Sequence, residues 1–273
     1  DPSTAGRALR DYVMYGKKSP FLRRSTLKEV QDMTSDFLIV QAKEAMKYEV
    51  DIFYTGTINE VAVIDQIKNR LSISDNLKAS KSPITMDYKK HTRNKVFLID
   101  DPKAVQSQIY IMGQGRVLDM ESRSTSDVFN KYFGSGMASI IFQEIREFRS
   151  LAYTAYGAYV NRPDIELPGY FIGYMGTQVD KSMEAISTYM DLFKNMPIKE
   201  SRISTIKSGL TQSINTRKPG WRSQGAYVSR ARKQGYDKDP NILDYNNYDN
   251  VNFDDIINFY KNNITKDPIV ITI

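Results

Sequence analysis

Strand-like segments follow one another directly in two places, with no helix between them. The first pair comprises residues 95–99 and 106–113, and the second pair comprises residues 152–159 and 169–176. Consecutive strands with short connections pair antiparallel, because parallel pairing needs a long crossover. Helical periodicity fills most of 181–262 and supplies helices to cover one side of such a sheet. The pattern therefore predicts an α+β fold, with a mostly antiparallel sheet and helices packed on one face.

Further elements are predicted around these strands. A helix over residues 4–16 ends at a glycine, which favours the left-handed conformation that closes helices. Residues 50–56 are rich in β-branched and aromatic side chains and are expected to form a strand. A double helix is predicted over about 122–149, interrupted by a Gly-Ser-Gly sequence, and a last strand over 268–273.

One pattern of elements occurs twice, near the two ends of the chain. A helix cap at residue 34 leads to a helix and a strand, and a cap at residue 252 leads to the same elements, offset throughout by 218 residues. A constant offset is typical of tandem repeats. The alternative is chance, because the order helix, loop, helix, strand is common in proteins. We therefore expect residues 1–48 to be the helical tail of a preceding repeat with a lead-in. Residues 49–273 are expected to be a full domain that ends with the start of a further strand.

The chain contains one histidine, His91, and no cysteine. Protein zinc sites are built mainly from His, Cys and carboxylate ligands, so an H-x-x-E-H type of helix is excluded. Cysteine nucleophiles, disulfides and thiolate clusters are excluded as well. A Ser-His-Asp triad would need His91, which lies in a polar, basic stretch and is more simply interpreted as a solvated loop residue. The sequence thus predicts no metal and no cofactor in this chain.

The net charge of +6 raises the question of an acidic partner such as nucleic acid. The basic residues are scattered, however, with acids between them, and no aromatic RNA-binding motif is present. A solvated, mildly basic surface is therefore favoured over nucleic-acid binding. No run of 18 apolar residues occurs, so no membrane-spanning helix is predicted.

The most distinctive stretch is residues 129–153, which contains a glycine-rich break between two helical segments. Gly134 and Gly136 allow two backbones to approach closely, or leave helix N–H groups free for an anion. No Lys-Ser or Lys-Thr follows, so the stretch is not a P-loop. Arg146 and Arg149 lie near the end of the second helix, where cations favour the helix dipole. The position near the helix end is therefore enough to account for both arginines as stabilising residues, with no role in binding or catalysis.

The same stretch carries a resemblance to a known family. The segment FGSGMASIIFQEIREFRSLAY resembles the glycine-rich signature, with its Arg and Tyr, of the pitrilysin-type (M16) zinc metallopeptidases. The segments TLKEVQDMTSDFLIVQAKEAMKYEVDIFYTGTI and PGYFIGYMGTQ are similar to the lead-in of the family's second domain and to the strand after the signature. The resemblance covers nearly the whole chain. It implies the LuxS-like metallohydrolase fold of this family, in the form of its non-zinc, inactive peptidase domain.

For function, the resemblance implies the non-catalytic half of a zinc-dependent endopeptidase. Zinc would lie on a partner M16 domain, in the same protein or in another subunit, and this chain alone would be inactive. The family's substrate-binding Arg and Tyr fall on Arg146 and Tyr153. A bacterial periplasmic or envelope location is favoured over the cytoplasm.

Elementary chemistry supports that pair, because peptide hydrolysis passes through an oxyanion that a suitably placed donor stabilises. We expect Tyr153 to donate to the carbonyl oxygen or oxyanion, and Arg146 to a backbone carbonyl of the substrate. The alternatives are a purely structural scaffold subunit of a protease complex and, less favoured, a basic nucleic-acid binder.

Two positions depart from the family pattern. Ser150 stands where many members have glycine, and serine is expected to be tolerated there unless the backbone needs a positive φ. Phe148 replaces a commonly polar residue, which predicts either extra burial or contact with another domain.

Overall fold

A computed structural model describes residues 2–71, 76–79, 86–216, 218–264 and 268–273 of the chain. The chain divides into two compact units by its internal contacts. Unit 1 comprises Asp1–Leu22, Tyr88–Lys218 and Ala231–Ile273. Unit 2 comprises Arg23–Asp87 and Pro219–Arg230. The expected boundary between residues 48 and 49 separates two sequence repeats, whereas the two units are defined by contacts. That boundary stays a prediction.

The regular elements of the described residues are numbered along the chain. The helices are α1 (Pro2–Tyr15), α2 (Leu27–Gln31), α3 (Ser35–Ala45), α4 (Glu60–Arg70), α5 (Met120–Phe133), α6 (Ser182–Lys194), α7 (Ile203–Thr216), α8 (Gln224–Lys233), α9 (Pro240–Tyr248) and α10 (Phe253–Asn263). The strands are β1 (Lys95–Phe97), β2 (Gln106–Gln114), β3 (Ala152–Val160), β4 (Tyr170–Gln178) and β5 (Ile269–Thr272). A single π-helical turn covers Phe142–Glu147.

Unit 1 is built on one five-stranded sheet with the order β1-β5-β2-β4-β3. Only the β1–β5 pair is parallel; β5–β2, β2–β4 and β4–β3 are antiparallel. Buried and half-buried residues alternate along β4, as a strand with two different faces requires. The predicted α+β class with a mostly antiparallel sheet is confirmed.

The predicted pairing of the first two strands is wrong, because β5 lies between β1 and β2. All four residues of β5 are buried, so this strand gains most from neighbours on both sides. β1 is short, begins with Lys95 and is only half-buried, which suits an edge strand. The predicted antiparallel pairing of β3 with β4 is correct.

The core of unit 1 lies between the sheet and the helices α5, α6 and α10. Its largest side chains with almost no exposure are Tyr132, Tyr159, Tyr189, Phe129, Phe133 and Phe171. Helix α1 packs on the opposite face, where Val13 and Met14 join Tyr110, Met112 and Val270 in a second, smaller cluster. The main helical layer is therefore on one face, as predicted, with α1 added on the other.

Unit 2 consists of α2, α3 and α4 with their connections and the segment Pro219–Arg230. Side chains of Thr26, Thr34 and Asn59 cap the three helices by accepting hydrogen bonds from backbone amides. None of these helices buries a side chain. The strand predicted over 50–56 does not form: residues 50–55 adopt no regular secondary structure. A strand needs a neighbouring strand to complete its hydrogen bonds, and this segment joins no sheet in the described part of the chain.

A group of buried and half-buried polar residues joins α5 to α9. The Tyr248 hydroxyl donates to Asp127 at 3.0 Å, and the Ser124 hydroxyl donates to Asp244 at 2.8 Å. Burial raises the pKa of Asp127 to about 6, and the nearby charge of Asp244 adds to the rise. The folded protein therefore binds a proton between about pH 4 and pH 6 that the unfolded chain releases, and stability falls as the pH rises through this window.

Replacing Asp127 with Asn is expected to raise the free energy of unfolding at pH 7.5 by about 1–3 kcal/mol. The amide keeps an acceptor for Tyr248 and removes the unfavourable buried charge. Urea unfolding between pH 4 and pH 8 should show a flatter pH profile than the parent. Asp237→Asn, which changes an exposed carboxylate, should leave the profile as it is. Lower stability of Asp127→Asn at pH 7.5 would contradict this account.

Candidate functional site

The glycine-rich break holds the end of α5 against β3. The Gly157 N–H donates to the Gly134 carbonyl at 3.1 Å, and a Cβ at Gly134 would lie 2.2 Å from the Gly157 carbonyl oxygen. The Asn130 side chain adds two hydrogen bonds to the backbone of Tyr159, at 2.6 and 2.9 Å. Gly136 has a φ of +99°, which glycine adopts without strain. The predicted close backbone approach is therefore present at Gly134, and it closes part of the outer edge of β3.

The segment after the break contains the π-helical turn Phe142–Glu147, where a regular α-helix was predicted. The N–H of Phe148 donates to the carbonyl of Gln143 five residues earlier, at 2.9 Å. Ile145 is fully buried and anchors the turn in the core. Single π turns inside helices occur frequently at functional sites, because they change the direction of the side chains that follow.

Glu144 stabilises the turn through ion pairs with two basic side chains. Its carboxylate accepts from Arg149 at 2.5 Å and lies 3.5 Å from the Lys199 ammonium group. The hydrogen bond from Arg149 is the largest cause that lowers the pKa of Glu144, and the charges of Arg149 and Lys199 lower it further. Arg149 also donates to the Glu144 backbone carbonyl at 2.9 Å, so its guanidinium is engaged in the turn itself.

Ser150 links the turn to β3 with a φ of +49°, the one positive φ of a non-glycine residue in the described chain. Its carbonyl accepts from the Lys181 side chain at 3.4 Å. Serine therefore occupies a position that favours glycine, which explains the family preference. The backbone strain, about 1–2 kcal/mol for a side chain in the left-handed region, lies directly beside the candidate site.

Replacing Ser150 with Gly is expected to stabilise the protein by about 1 kcal/mol, because glycine adopts this φ without a steric penalty. Chemical denaturation of both proteins checks the difference. Ser187→Gly provides the matched control within α6, where glycine should cost about 0.5–1 kcal/mol. A loss of stability at position 150 similar to that at position 187 would disprove the strain.

Tyr153 lies on a β-bulge at the start of β3. Ala152 pairs with Thr177 and Thr154 pairs with Gly176, so Tyr153 between them is the extra residue. Bulges change the direction of a side chain and are enriched next to active sites. The Tyr153 side chain is accordingly 80% exposed, and its ring is directed away from the core.

Arg146 and Tyr153 meet across this turn. The guanidinium carbon of Arg146 lies 5.1 Å from the centre of the Tyr153 ring and 4.8 Å from the centre of the Phe142 ring. Its closest carboxylate is Glu147, at 3.6 Å. The Arg146 side chain is 39% exposed and Tyr153 is 80% exposed, so the donors of both side chains are accessible to solvent. Two hydrogen-bond donors, one charged and one neutral, are thus available together.

The structure brings both sequence-predicted site residues together, while their role in substrate binding stays a prediction. Sequence reasoning missed Phe142, whose ring stacks on Arg146. The sequence did hold an indication of this contact, because residues four positions apart lie on the same side of a helical turn. Phe148 is 65% exposed, which leaves contact with another domain as the remaining expectation for it.

The single histidine, His91, is not part of this turn, and its contacts are with residues of α1 and β1. His91 Nε2 is 3.2 Å from the Val13 carbonyl, and its ring is 6.3 Å from Phe97. Burial is the main cause that lowers the pKa of His91. His91 does lie in a loop, as expected, but it is half-buried against α1 and not solvated. Among the described residues, no three His, Cys, Asp or Glu side chains come together as metal ligands.

No helix in the described ranges is long and apolar enough to cross a membrane.

The fold itself is that of several solved proteases. The chain superposes over its whole length on a peptidase M16 inactive domain from Pseudomonas fluorescens, with a TM-score of 0.67 and 15% identity. It also superposes fully on the ferredoxin protease FusC, solved as a mutant in complex with Arabidopsis ferredoxin (TM-score 0.71, 10% identity). A third match is the periplasmic protease PqqL from Escherichia coli (TM-score 0.68, 12% identity).

The chain spans 65% of the Pseudomonas protein and 30% of each of the other two. At these identities the similarity establishes the fold alone. No curated protein matches the chain. The family model of the peptidase M16 inactive domain matches residues 49–210, which is more than half of the sequence. The resemblance found in the sequence is thereby confirmed: this chain belongs to the M16 peptidase family and corresponds to its inactive domain.

Proposed function

We propose that the chain is the non-catalytic half of a zinc-dependent endopeptidase. It binds the peptide substrate and completes an active site whose zinc lies on another domain of the same protein or on a partner subunit. The chain together with that zinc-bearing domain is called the complete protease below. The observation that carries the proposal is the meeting of Arg146 and Tyr153 on one exposed turn, 5.1 Å from guanidinium carbon to ring centre.

The two donors suit different parts of a peptide. The Tyr153 hydroxyl is a neutral donor that strengthens its hydrogen bond as negative charge develops on the scissile carbonyl oxygen. The Arg146 guanidinium is permanently charged and donates to a neighbouring backbone carbonyl of the substrate. Arg149 is not available for this role, since Glu144 holds it at 2.5 Å. The fixed turn, with its buried Ile145, holds both donors in place before substrate arrives.

Exposed apolar side chains offer contacts for the side chains of a peptide. They belong to residues close in sequence to the turn or to the adjoining end of β4: Phe148, Val179 and Met183. An extended peptide places alternate side chains on such a surface, while its backbone carbonyls face the donors. The Arabidopsis ferredoxin bound to FusC is a protein ligand on a protease of this fold, which supports a polypeptide substrate here.

Zinc does not fit the residues of this chain, which has one histidine, no cysteine and no three-ligand cluster in its described part. The metal therefore belongs to the partner in this proposal, and the chain alone is inactive. A periplasmic or envelope location is part of the proposal, supported by the periplasmic location of the structurally similar PqqL.

The alternative is a scaffold subunit in which Arg146 only stabilises its own turn. Its stacking between Phe142 and Tyr153 and its contact with Glu147 favour that alternative. Activity measurements separate the two. Residues 1–273 alone should bind no zinc tightly and cleave no peptide, and cleavage should appear when the zinc-bearing domain is present. Stoichiometric zinc binding together with peptide cleavage by the isolated chain would refute the proposal.

Arg146→Gln in the complete protease is expected to lower kcat/KM for peptides by about 10- to 100-fold, because a charge-assisted hydrogen bond to the substrate is lost. Arg149→Gln is the matched control, with the same loss of charge three residues away. It should lower kcat/KM clearly less than Arg146→Gln does, because Arg149 acts only through the turn and does not contact the substrate. Equal effects of the two substitutions would favour the scaffold alternative.

A further inference from the structure

Unit 1 contains a cavity of about 180 Å³ at the end of the sheet where β1 and β5 end and β2 begins. The cavity lies between the start of α1, the connection from β1 to β2, the start of β2 and Val179, which comes directly after β4. A volume of this size admits a group about as large as benzene, or the end of one long side chain. Apart from Val179, none of its residues takes part in the substrate contacts proposed above.

Hydrogen bonds fix the connection from β1 to β2, which forms one wall of the cavity. The N–H of Ile99 donates to the carbonyl of Ile273 at 3.0 Å and so continues the pairing of β1 with β5. Asp101 closes the turn that follows. Its side chain accepts from the N–H of Lys103 at 3.0 Å, and its carbonyl accepts from the N–H of Ala104 at 2.9 Å. The cavity is therefore formed before a ligand binds, as most ligand sites are.

The lining of the cavity combines apolar surface with negative charge. Leu98, Ile99 and Val179 are large apolar residues that are each about half exposed or more. Asp100 and Asp101 are exposed, and neither forms an ion pair with a described residue, although the chain has a net charge of +6. A lysine or arginine side chain has the complementary form, because its stem is aliphatic and its end is cationic.

The sheet places this cavity beside the candidate site. Ala152 pairs with Thr177, and Thr177 pairs with Ser107, so these three residues lie side by side on β3, β4 and β2. Ala152 precedes Tyr153, and Ser107 lines the cavity. Two strand spacings amount to about 10 Å, and an extended peptide advances about 3.3 Å per residue. A peptide held at Tyr153 would thus reach the cavity with a side chain about three or four residues away.

We infer that the cavity is a subsite for one basic side chain of the substrate, about three or four residues from the scissile bond. The aliphatic stem packs against Leu98 and Val179, and the cationic end lies near Asp100 and Asp101. The substrates are then peptides with a lysine or arginine at that distance from the bond that is cleaved. This inference rests on the proposed function, because it takes the peptide to be held at Tyr153.

Peptide binding to the complete protease, depleted of zinc so that no cleavage occurs, tests the subsite. N-acetylated fluorescent peptides carry a single Lys or a single Glu at successive positions on either side of the scissile bond, and anisotropy gives each Kd. At the position that reaches the cavity, the Lys peptide should bind about 10-fold more tightly than the Glu peptide, since attraction is exchanged for repulsion. High salt should reduce this ratio.

Variants of the two carboxylates locate the effect. The double variant Asp100→Asn and Asp101→Asn keeps the acceptor for the turn, and it should bring the ratio of the two Kd values to within about twofold. Asp100→Lys should shift the preference toward Glu. Asp237→Asn, which removes an exposed carboxylate outside the cavity, is the matched control and should leave the ratio as it is.

Equal Kd values for the Lys and Glu peptides at every position would overturn the inference. A preference for Lys that survives the double variant would also overturn it, and so would a preference that follows a free terminal amine and not the side chain. The measurement does not depend on cleavage. If the double variant loses the preference while Tyr153→Phe leaves kcat unchanged, the subsite stands and the donor role of Tyr153 fails. If Tyr153→Phe lowers kcat and no such preference exists, the reverse holds.

Discussion

Replacing Tyr153 with Phe in the complete protease is expected to lower kcat by about 100-fold, with KM within about threefold. Removal of one donor from an oxyanion site typically costs about 10²–10³ in kcat. The hydroxyl would contribute mainly in the transition state, so substrate affinity changes little. The ring remains, so its stacking on Arg146 and the stability of the bulge are retained. Steady-state kinetics with a peptide substrate measure both constants.

Tyr156→Phe is the matched control, because it removes a hydroxyl from the same strand, three residues further on. Tyr156 packs beside Tyr174, with ring centres 5.4 Å apart, and is not part of the turn. Its replacement should leave kcat within about twofold. If Tyr153→Phe also leaves kcat unchanged, Tyr153 is structural and the scaffold alternative is correct.

Replacing Gly134 with Ala is expected to destabilise unit 1 by at least about 3 kcal/mol, at the upper end of overpacking effects. The new Cβ would lie 2.2 Å from the carbonyl oxygen and 2.4 Å from the nitrogen of Gly157. Helix α5 would have to move away from β3, which breaks the hydrogen bond between Gly134 and Gly157 and strains those of Asn130. Denaturant unfolding measures the loss.

Gly209→Ala is the control for this substitution. Gly209 lies inside α7, and no atom outside the neighbouring helix backbone lies within 4 Å of the position that its Cβ would take. Alanine should therefore stabilise the protein there by about 0.5–1 kcal/mol through helix propensity. Similar stabilities of the Gly134→Ala variant and the parent would mean that the close approach of α5 to β3 is not required.

The sequence predicts the strands of unit 1 well, because their β-branched and aromatic residues are bounded by clear turn signals. It does not predict the order of the sheet. The insertion of β5 between β1 and β2 depends on contacts between residues about 160 positions apart, and local patterns carry no information on them. The strand predicted at 50–56 fails for a related reason, since strand formation requires a neighbour that the described residues do not supply.

For the candidate site, the spacing of Arg146 and Tyr153 was visible in the sequence, and the family resemblance selected them. Their meeting depends on three local irregularities that composition does not reveal: the π turn, the positive φ of Ser150 and the bulge at Tyr153. Departures from ideal geometry collect at functional sites, where sequence rules are expected to fail. The departure from the family glycine at position 150 was the one indication of this strain.

The separation between the Tyr153 hydroxyl oxygen and the scissile carbonyl oxygen tests the central claim most directly. It can be measured in a crystal structure of the complete protease, depleted of zinc, with an uncleaved peptide bound. The account predicts a hydrogen-bond distance of about 2.6–3.2 Å, with the Arg146 guanidinium on a neighbouring carbonyl of the same peptide. A peptide bound at the zinc-bearing domain with Tyr153 and Arg146 both more than about 6 Å away would contradict it, because no direct hydrogen bond spans that distance.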